Sequence, residues 1–193
     1  MNRIQRLLAA ILLIFAASAN AGQSCSEKPV TPEAVTQALA LAQEVQAYLE
    51  SQQAQTVVLA RVGSDISKHG LRYTHAALAY RDLTDGHWIV YHKLNHCGQD
   101  EASLFRQGLA NFWLDDPLEY RALVLIPAPG LQKTLLEAVN QQAGPAVHQK
   151  HYSLIAYPYE TTQQNSNGWL LEMIAVAQGA QANREQAQQW LRS

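Results

Sequence analysis

The stretch of sequence that decides the fold reads Arg72-Tyr73-Thr74-His75-Ala76-Ala77-Leu78-Ala79-Tyr80. Its small and apolar residues around one histidine are typical of a β-strand. A second stretch, Gln164-Asn165-Ser166-Asn167-Gly168-Trp169-Leu170-Leu171-Glu172, is a polar turn that opens an apolar helix. A histidine on a strand that faces a hydroxyl at a helix start places a base beside a nucleophile. These two stretches therefore predict both the architecture and the candidate site.

The rest of the chain has the pattern of an α+β domain. A helix start at Thr31-Pro32-Glu33 is followed by apolar residues at helical spacing through about Ser51. Strands are predicted over 56–62, 71–80, 87–94 and 121–126, and a weaker strand pattern covers 152–157. Further helices are predicted over 131–139, 167–177 and 181–191. We expect a mostly antiparallel sheet packed against helices, with 121–126 as a buried strand.

The first residues predict export. Arg3 and Arg6 precede an apolar core over 7–17, and Ala19-Asn20-Ala21 supplies the small residues of a signal-peptidase site. The apolar run is shorter than the about 20 residues that a permanent membrane helix needs. We expect a signal peptide over 1–21 and one α+β domain over 22–193, located in the periplasm or secreted. A retained N-terminal anchor is the alternative.

Charge and cysteine content narrow the class of protein. The formal net charge is −2 and the basic residues are scattered, which argues against a nucleic-acid partner. Cys25 and Cys97 both follow the predicted cleavage site, and two cysteines in an oxidising compartment favour one disulfide. The alternative is that Cys97, which follows His96, is a catalytic thiol.

A predicted hairpin relates the histidines to one another. Asp85-Gly86 between two strand patterns is a strong hairpin signal. In the register that we favour, His75 lies directly opposite His92, whereas a tight two-residue turn would place it opposite His96. Both registers put His75 and His92 on the same face of the sheet. His92 is therefore the predicted group that orients His75 or tunes its charge.

Ser166 is the predicted nucleophile. A helix N-terminus carries free N–H groups and a partial positive charge, both of which stabilise a developing anion. A serine hydroxyl also needs a general base, and His75 is chemically suited to that role. The alternative is structural: Asn165-Ser166-Asn167 simply caps the helix, and His75 is a hydrogen-bonded core residue.

Two family resemblances support the catalytic hypothesis. Three motifs resemble those of a family of exported bacterial proteins of unknown function: Arg72-Tyr73-Thr74-His75-Ala76, Asn111-Phe112-Trp113-Leu114-Asp115-Asp116 and 164–172. Most of 57–177, including Gly63-Ser64-Asp65-Ile66, is similar to the circularly permuted branch of the NlpC-type papain-like superfamily. The resemblance implies a permuted papain-like fold in which relatives typically carry cysteine at the position of Ser166. It implies His75 as the base and, more weakly, His92 as the third catalytic group.

Two classes of function follow. The first is a periplasmic hydrolase or acyl transferase that cleaves an amide or ester bond, with cell-wall peptide as the substrate that the superfamily suggests. The second is a catalytically inactive scaffold that binds a cell-envelope peptide, glycan or partner protein in the same cleft. Neither class needs a cofactor. No metal is expected either, because the pairs His92/His96 and His148/His151 lack further ligands.

The sequence predicts a mature chain that begins at Gly22 and has its two cysteines joined. After alkylation, intact-mass analysis should show two added groups only when the protein is first reduced, because a disulfide has no thiol to alkylate. Alkylation of the unreduced native protein would contradict the Cys25–Cys97 bridge.

Overall fold

The computed structural model describes residues 29–193. The predicted signal peptide, its cleavage site and Cys25 lie outside the described residues, so the export and disulfide predictions stay predictions. Within residues 29–193, no helix is long and apolar enough to cross a membrane.

The described chain forms a five-stranded antiparallel sheet and six α-helices, which confirms the α+β class. The strands are β1 (Thr56–Val62), β2 (His75–Arg81), β3 (Trp88–Asn95), β4 (Ala102–Gly108) and β5 (Glu119–Leu125). They lie in the order β4-β3-β2-β1-β5. The helices are α1 (Pro32–Ser51), α2 (Leu109–Leu114), α3 (Pro129–Asn140), α4 (Ala143–Ala146), α5 (Ser166–Ala177) and α6 (Arg184–Arg192).

Helices cover both faces of the central strands. Alternate side chains of β2 enter two different clusters, Ala77 and Ala79 on one face and Leu78 and Tyr80 on the other. Helices α1 and α2 pack on the first face, and α3, α5 and α6 belong to the second. The sheet is therefore the middle of three layers, and the helices that bear on the candidate site approach it from opposite sides.

The predicted hairpin is present, but neither predicted register is correct. The ladder runs from Leu78–Tyr91 to Arg81–Trp88, which aligns His92 with Ala77, diagonal to His75. The two histidines still share a face, because the shift from either predicted register is an even number of residues.

Relative to the register that we favour, the turn is displaced by one residue along the chain. The turn spans 82–87, between the last paired residues of the two strands. Carboxylates inside it accept backbone hydrogen bonds: Thr84 N donates to Asp82 Oδ1 at 2.7 Å, and His87 N donates to Asp85 Oδ1 at 2.9 Å. Such local side-chain bonds favour an open turn over a two-residue one.

Three other predictions about the sheet need correction. The sequence prediction missed β4 and α2, which occupy 102–114. Strand β5 is not buried but lies at the sheet edge with one face open, so that Leu123 and Leu125 are exposed. The strand predicted over 152–157 is wrong.

The segment 152–157 turns instead of pairing. An isolated bridge between Glu101 and His151 precedes the segment, and within it Ala156 N donates to Ser153 O at 3.0 Å. Leu154 and Ile155 are exposed, so the strand propensity of Ile155 is not supported by a packed face. This segment instead forms part of the loop that leads to α5.

Candidate functional site

The candidate site lies where β2 and β3 separate. Their ladder ends at the Leu78–Tyr91 pair, although both strands continue beyond it. The N-terminus of α5 lies at this open end, where the Ala76 N–H donates to Asn167 Oδ1 at 3.1 Å. The contact brings Ser166 to the start of β2.

Four side chains form one continuous series of hydrogen bonds, here named the Ser–His–His–Gln chain. Ser166 Oγ lies 3.1 Å from His75 Nδ1, and His75 Nε2 lies 3.0 Å from His92 Nδ1. His92 Nε2 lies 3.1 Å from Gln107 Oε1. The structure thus brings together all three predicted site residues, and their catalytic roles stay predictions.

The direction of every hydrogen bond in this chain follows from Gln107. Its amide oxygen can only accept, so His92 must donate from Nε2. Neutral His92 then accepts at Nδ1 from the Nε2–H of His75. This leaves the lone pair of His75 Nδ1 facing the hydroxyl of Ser166. The chain therefore has the polarity that general-base activation of the serine requires.

Burial keeps both imidazoles neutral. His92 has no exposed surface, and burial lowers its pKa from 6.5 to about 4, with the nearby Arg61 charge adding to the effect. Burial also lowers the pKa of His75 well below its ordinary value, and the Arg61 charge lowers it further, as a proton on His92 would. At neutral pH, His75 is therefore available to accept a proton.

Arg61 and α2 enclose the two histidines. Arg61 Nη1 donates to Phe112 O at 2.6 Å, and its other terminal nitrogen pairs with Asp115. The Phe112 ring centroid lies 5.7 Å from that of His75 and 5.4 Å from that of His92. Asp115 thus compensates the charge of a buried guanidinium.

Three consecutive residues at the start of α5 have different roles. Asn165 is the N-cap and accepts from Gly168 N at 2.7 Å, while Asn167 binds the Ala76 N–H. Ser166 is the first helical residue, is 5% exposed, and directs its hydroxyl to His75. Capping therefore explains Asn165 but not Ser166. Because the cap uses the Gly168 N–H, the N–H groups of Ser166 and Asn167 are the ones at this helix start that are suited to hold an anion.

The other histidine candidates lie outside this chain. His96 Nε2 is 2.8 Å from Ser103 Oγ, and His148 Nε2 donates to Ala102 O at 3.1 Å. Among the described residues, no group of three or more His, Cys, Asp and Glu side chains is placed to hold a metal. Cys97 lies in the turn after β3, and its predicted partner Cys25 is outside the described range.

Sequence reasoning missed Gln107 and Arg61. Gln107 was missed because β4 was not predicted, although alternation along 102–108 would have put it on the face of Phe105. Arg61 had a clearer signal, since it is the only charged residue within the apolar run 56–62. A charge inside a buried strand requires a partner, and that requirement marks it as part of a site.

The chain belongs to the family described as "Uncharacterized protein conserved in bacteria (DUF2145)", whose family model matches residues 48–193. All members of the Ser–His–His–Gln chain fall within this match. The expected membership of a bacterial family of unknown function is confirmed. No curated protein and no solved structure matches the chain.

The lowered pKa values of His92 and His75 should make stability depend on pH. His92 has a pKa of about 4 in the folded chain against 6.5 without burial, so the unfolded chain binds more protons between these values. The free energy of unfolding should therefore fall as the pH drops from 6.5 toward 4, by up to about 1.4 kcal/mol per pH unit for each such histidine. Urea unfolding at a series of pH values measures the slope.

His92→Gln should make this slope shallower, because it removes one buried titrating group. His69→Gln is the matched control, because it also replaces a histidine by glutamine but at an exposed position away from the site. An equal slope in wild type and His92→Gln would contradict the pKa assignment.

Proposed function

We propose that this member of the DUF2145 family is an exported hydrolase or acyl transferase that acts on an amide or ester bond through Ser166. One observation carries the proposal: Ser166 Oγ lies 3.1 Å from His75 Nδ1 within a chain whose hydrogen bonds all donate away from the serine. A hydroxyl and a base at this distance meet the geometric requirement for proton transfer.

The first step forms a bond between Ser166 Oγ and the substrate carbonyl carbon. The hydroxyl proton moves to His75 Nδ1, and the imidazolium that forms keeps its Nε2–H bond to His92. The carbonyl electron pair becomes an oxyanion, which the free N–H groups at the start of α5 stabilise. His92 orients the ring of His75 throughout.

The second step breaks the bond to the amine or alcohol leaving group, which takes the proton from His75. A lowered pKa makes His75 a weaker base but a stronger acid, and so favours this protonation. Water in a hydrolase, or another nucleophile in a transferase, then gives a proton to His75 and attacks the acyl carbon of the remaining ester. The bond from that carbon to Ser166 Oγ breaks, and the serine oxygen takes the proton back from His75. No metal or cofactor enters these steps.

The proposal includes a permuted papain-like fold of the NlpC type, with serine in the position of the usual cysteine. The order of the site residues supports it, because the strand histidine precedes the helix-borne nucleophile in the chain. Location in the periplasm or outside the cell, as the first 21 residues predict, makes cell-wall peptide the proposed substrate.

Burial of the site favours a second candidate function. Ser166 is 5% exposed and His92 is fully buried, so a carbonyl carbon has little access to the hydroxyl in this conformation. An inactive papain-like scaffold that binds an envelope peptide, glycan or partner protein needs no such access. The two candidates differ in the reactivity of Ser166.

A fluorophosphonate probe distinguishes them. The hydrolase should label at Ser166, and Ser166→Ala and His75→Ala should each abolish labelling, because an unassisted serine is a poor nucleophile. Ser166→Ala should change the free energy of unfolding by about 1 kcal/mol or less, since Asn165 supplies the cap. Labelling is read by intact mass.

Ser103→Ala is the matched control for labelling. Ser103 also contacts a histidine, His96, at 2.8 Å, but it lies in a strand rather than at a helix N-terminus. Labelling should survive this change. A wild-type protein that does not label would contradict the hydrolase and favour the scaffold.

The variant Ser166→Cys tests whether the contact of residue 166 with His75 activates a nucleophile. A thiol beside a base and a helix N-terminus ionises more readily than a free cysteine, so the introduced thiol should react rapidly with iodoacetamide. Adding His75→Ala should reduce the rate to that of an ordinary thiol. An ordinary rate in the single variant would mean that the site is not arranged for nucleophilic chemistry.

A further inference from the structure

A second buried polar network lies on the opposite side of β3 from the histidines. His92 and Lys93 are neighbours in the strand, so their side chains point to opposite faces of the sheet. His92 enters the Ser–His–His–Gln chain, whereas Lys93 points toward the layer that contains α5 and has no exposed surface.

Burial lowers the pKa of the Lys93 amine to about 7, and the ammonium form is fully hydrogen-bonded. It donates to Gln164 Oε1 at 2.8 Å and to the backbone oxygen of Gln149, and it lies 3.3 Å from His148 Nδ1. Because His148 uses Nε2–H to donate to Ala102 O, its Nδ1 is the acceptor for the ammonium. Each of the three N–H groups of the ammonium therefore has an acceptor.

Gln164 receives this contact two residues before Ser166. Its oxygen accepts from Lys93 and from Gln149 N at 3.0 Å, and its nitrogen donates to Val147 O at 2.8 Å and to Glu172 Oε2 at 2.7 Å. These four bonds use the full capacity of the amide, so its orientation is determined.

Glu172 closes the network from within α5. Its carboxylate has no exposed surface and is held by Gln164, Gln188 and Arg184, with Arg184 Nε at 3.2 Å. Arg184 also donates to backbone oxygens of the loop that precedes Ser166. The loop is thus tied to β3 at one end and to α6 at the other.

We propose that Lys93 is a positioning residue that holds the turn before α5, through Gln164, so that the Ser166 hydroxyl meets His75. The inference rests on the proposed function of Ser166. A buried ammonium costs free energy that a methionine of similar length would not, so stability alone does not account for a lysine here. One strand would then position both partners, His75 through His92 and Ser166 through Lys93.

The test uses Lys93→Met in the Ser166→Cys background. Methionine keeps the length of the side chain but cannot donate, so the introduced thiol should lose its contact with His75. We expect its rate constant for iodoacetamide to fall about tenfold or more, since a misplacement of about 1 Å has effects of this size. The pH profile of the reaction should shift toward that of a free thiol, with an apparent pKa of about 8.5.

Lys150→Met is the matched control, because Lys150 is exposed and pairs only with Glu101 among the described contacts. Its rate and pH profile should equal those of the parent. A Lys93→Met protein that is folded by circular dichroism and keeps the parent rate and profile would overturn the proposal. If Lys93→Met does not fold, Gln164→Met replaces it, because it breaks the same link while Lys93 keeps its bonds to Gln149 and His148.

A second measurement separates this inference from the proposed function. The ¹⁵N resonance of His75 Nδ1 in the Ser166 protein reports the hydrogen bond to the serine without any reaction. In Lys93→Met this resonance should move toward that of an imidazole nitrogen without a donor, even if the thiol variant reacts at an ordinary rate and the hydrolase is rejected. An unchanged resonance would overturn the positioning role in either case.

Discussion

The site depends on the early end of pairing between β2 and β3. The ladder stops at Leu78–Tyr91, and beyond it the Ala76 N–H is bound by Asn167. Backbone N–H groups need partners, and at this opening the side chain of Asn167 in α5 supplies a bond that β3 does not. The contact between Ser166 and His75 follows because the N-terminus of α5 occupies this opening.

Buried charged residues on both faces of the sheet lie near the candidate site. On one face, Arg61 is paired with Asp115 and lies against Phe112, where it opposes protonation of the histidines. On the other face, Lys93 and Glu172 are joined through Gln164. Buried charges are costly unless they are fully bonded, so both groups determine side-chain orientations strongly. Together they flank Ser166, which is 5% exposed, and the half-buried His75.

The elements with strong local signals could be predicted from the sequence. The cap of α1 is one example, since Thr31 Oγ1 accepts from Ala34 N at 3.1 Å as its position predicts. The strand 56–62 and the hairpin around Asp85-Gly86 are others. Prediction failed where local preference and packing disagree: 152–157 has strand-forming residues but no packed face, and β4 has a weak pattern but pairs fully with β3.

The sequence by itself determined the α+β class, the face shared by His75 and His92, and the position of Ser166 at a helix start, because these follow from residue periodicity and capping preferences. Only the tertiary structure decided that Ser166 meets His75, that Gln107 sets the direction of the hydrogen bonds, and that Lys93 reaches Gln164. The physical reason is that each contact joins segments distant in the chain. Its geometry depends on strand register and on the angle at which α5 approaches the sheet, and neither is encoded in a local pattern.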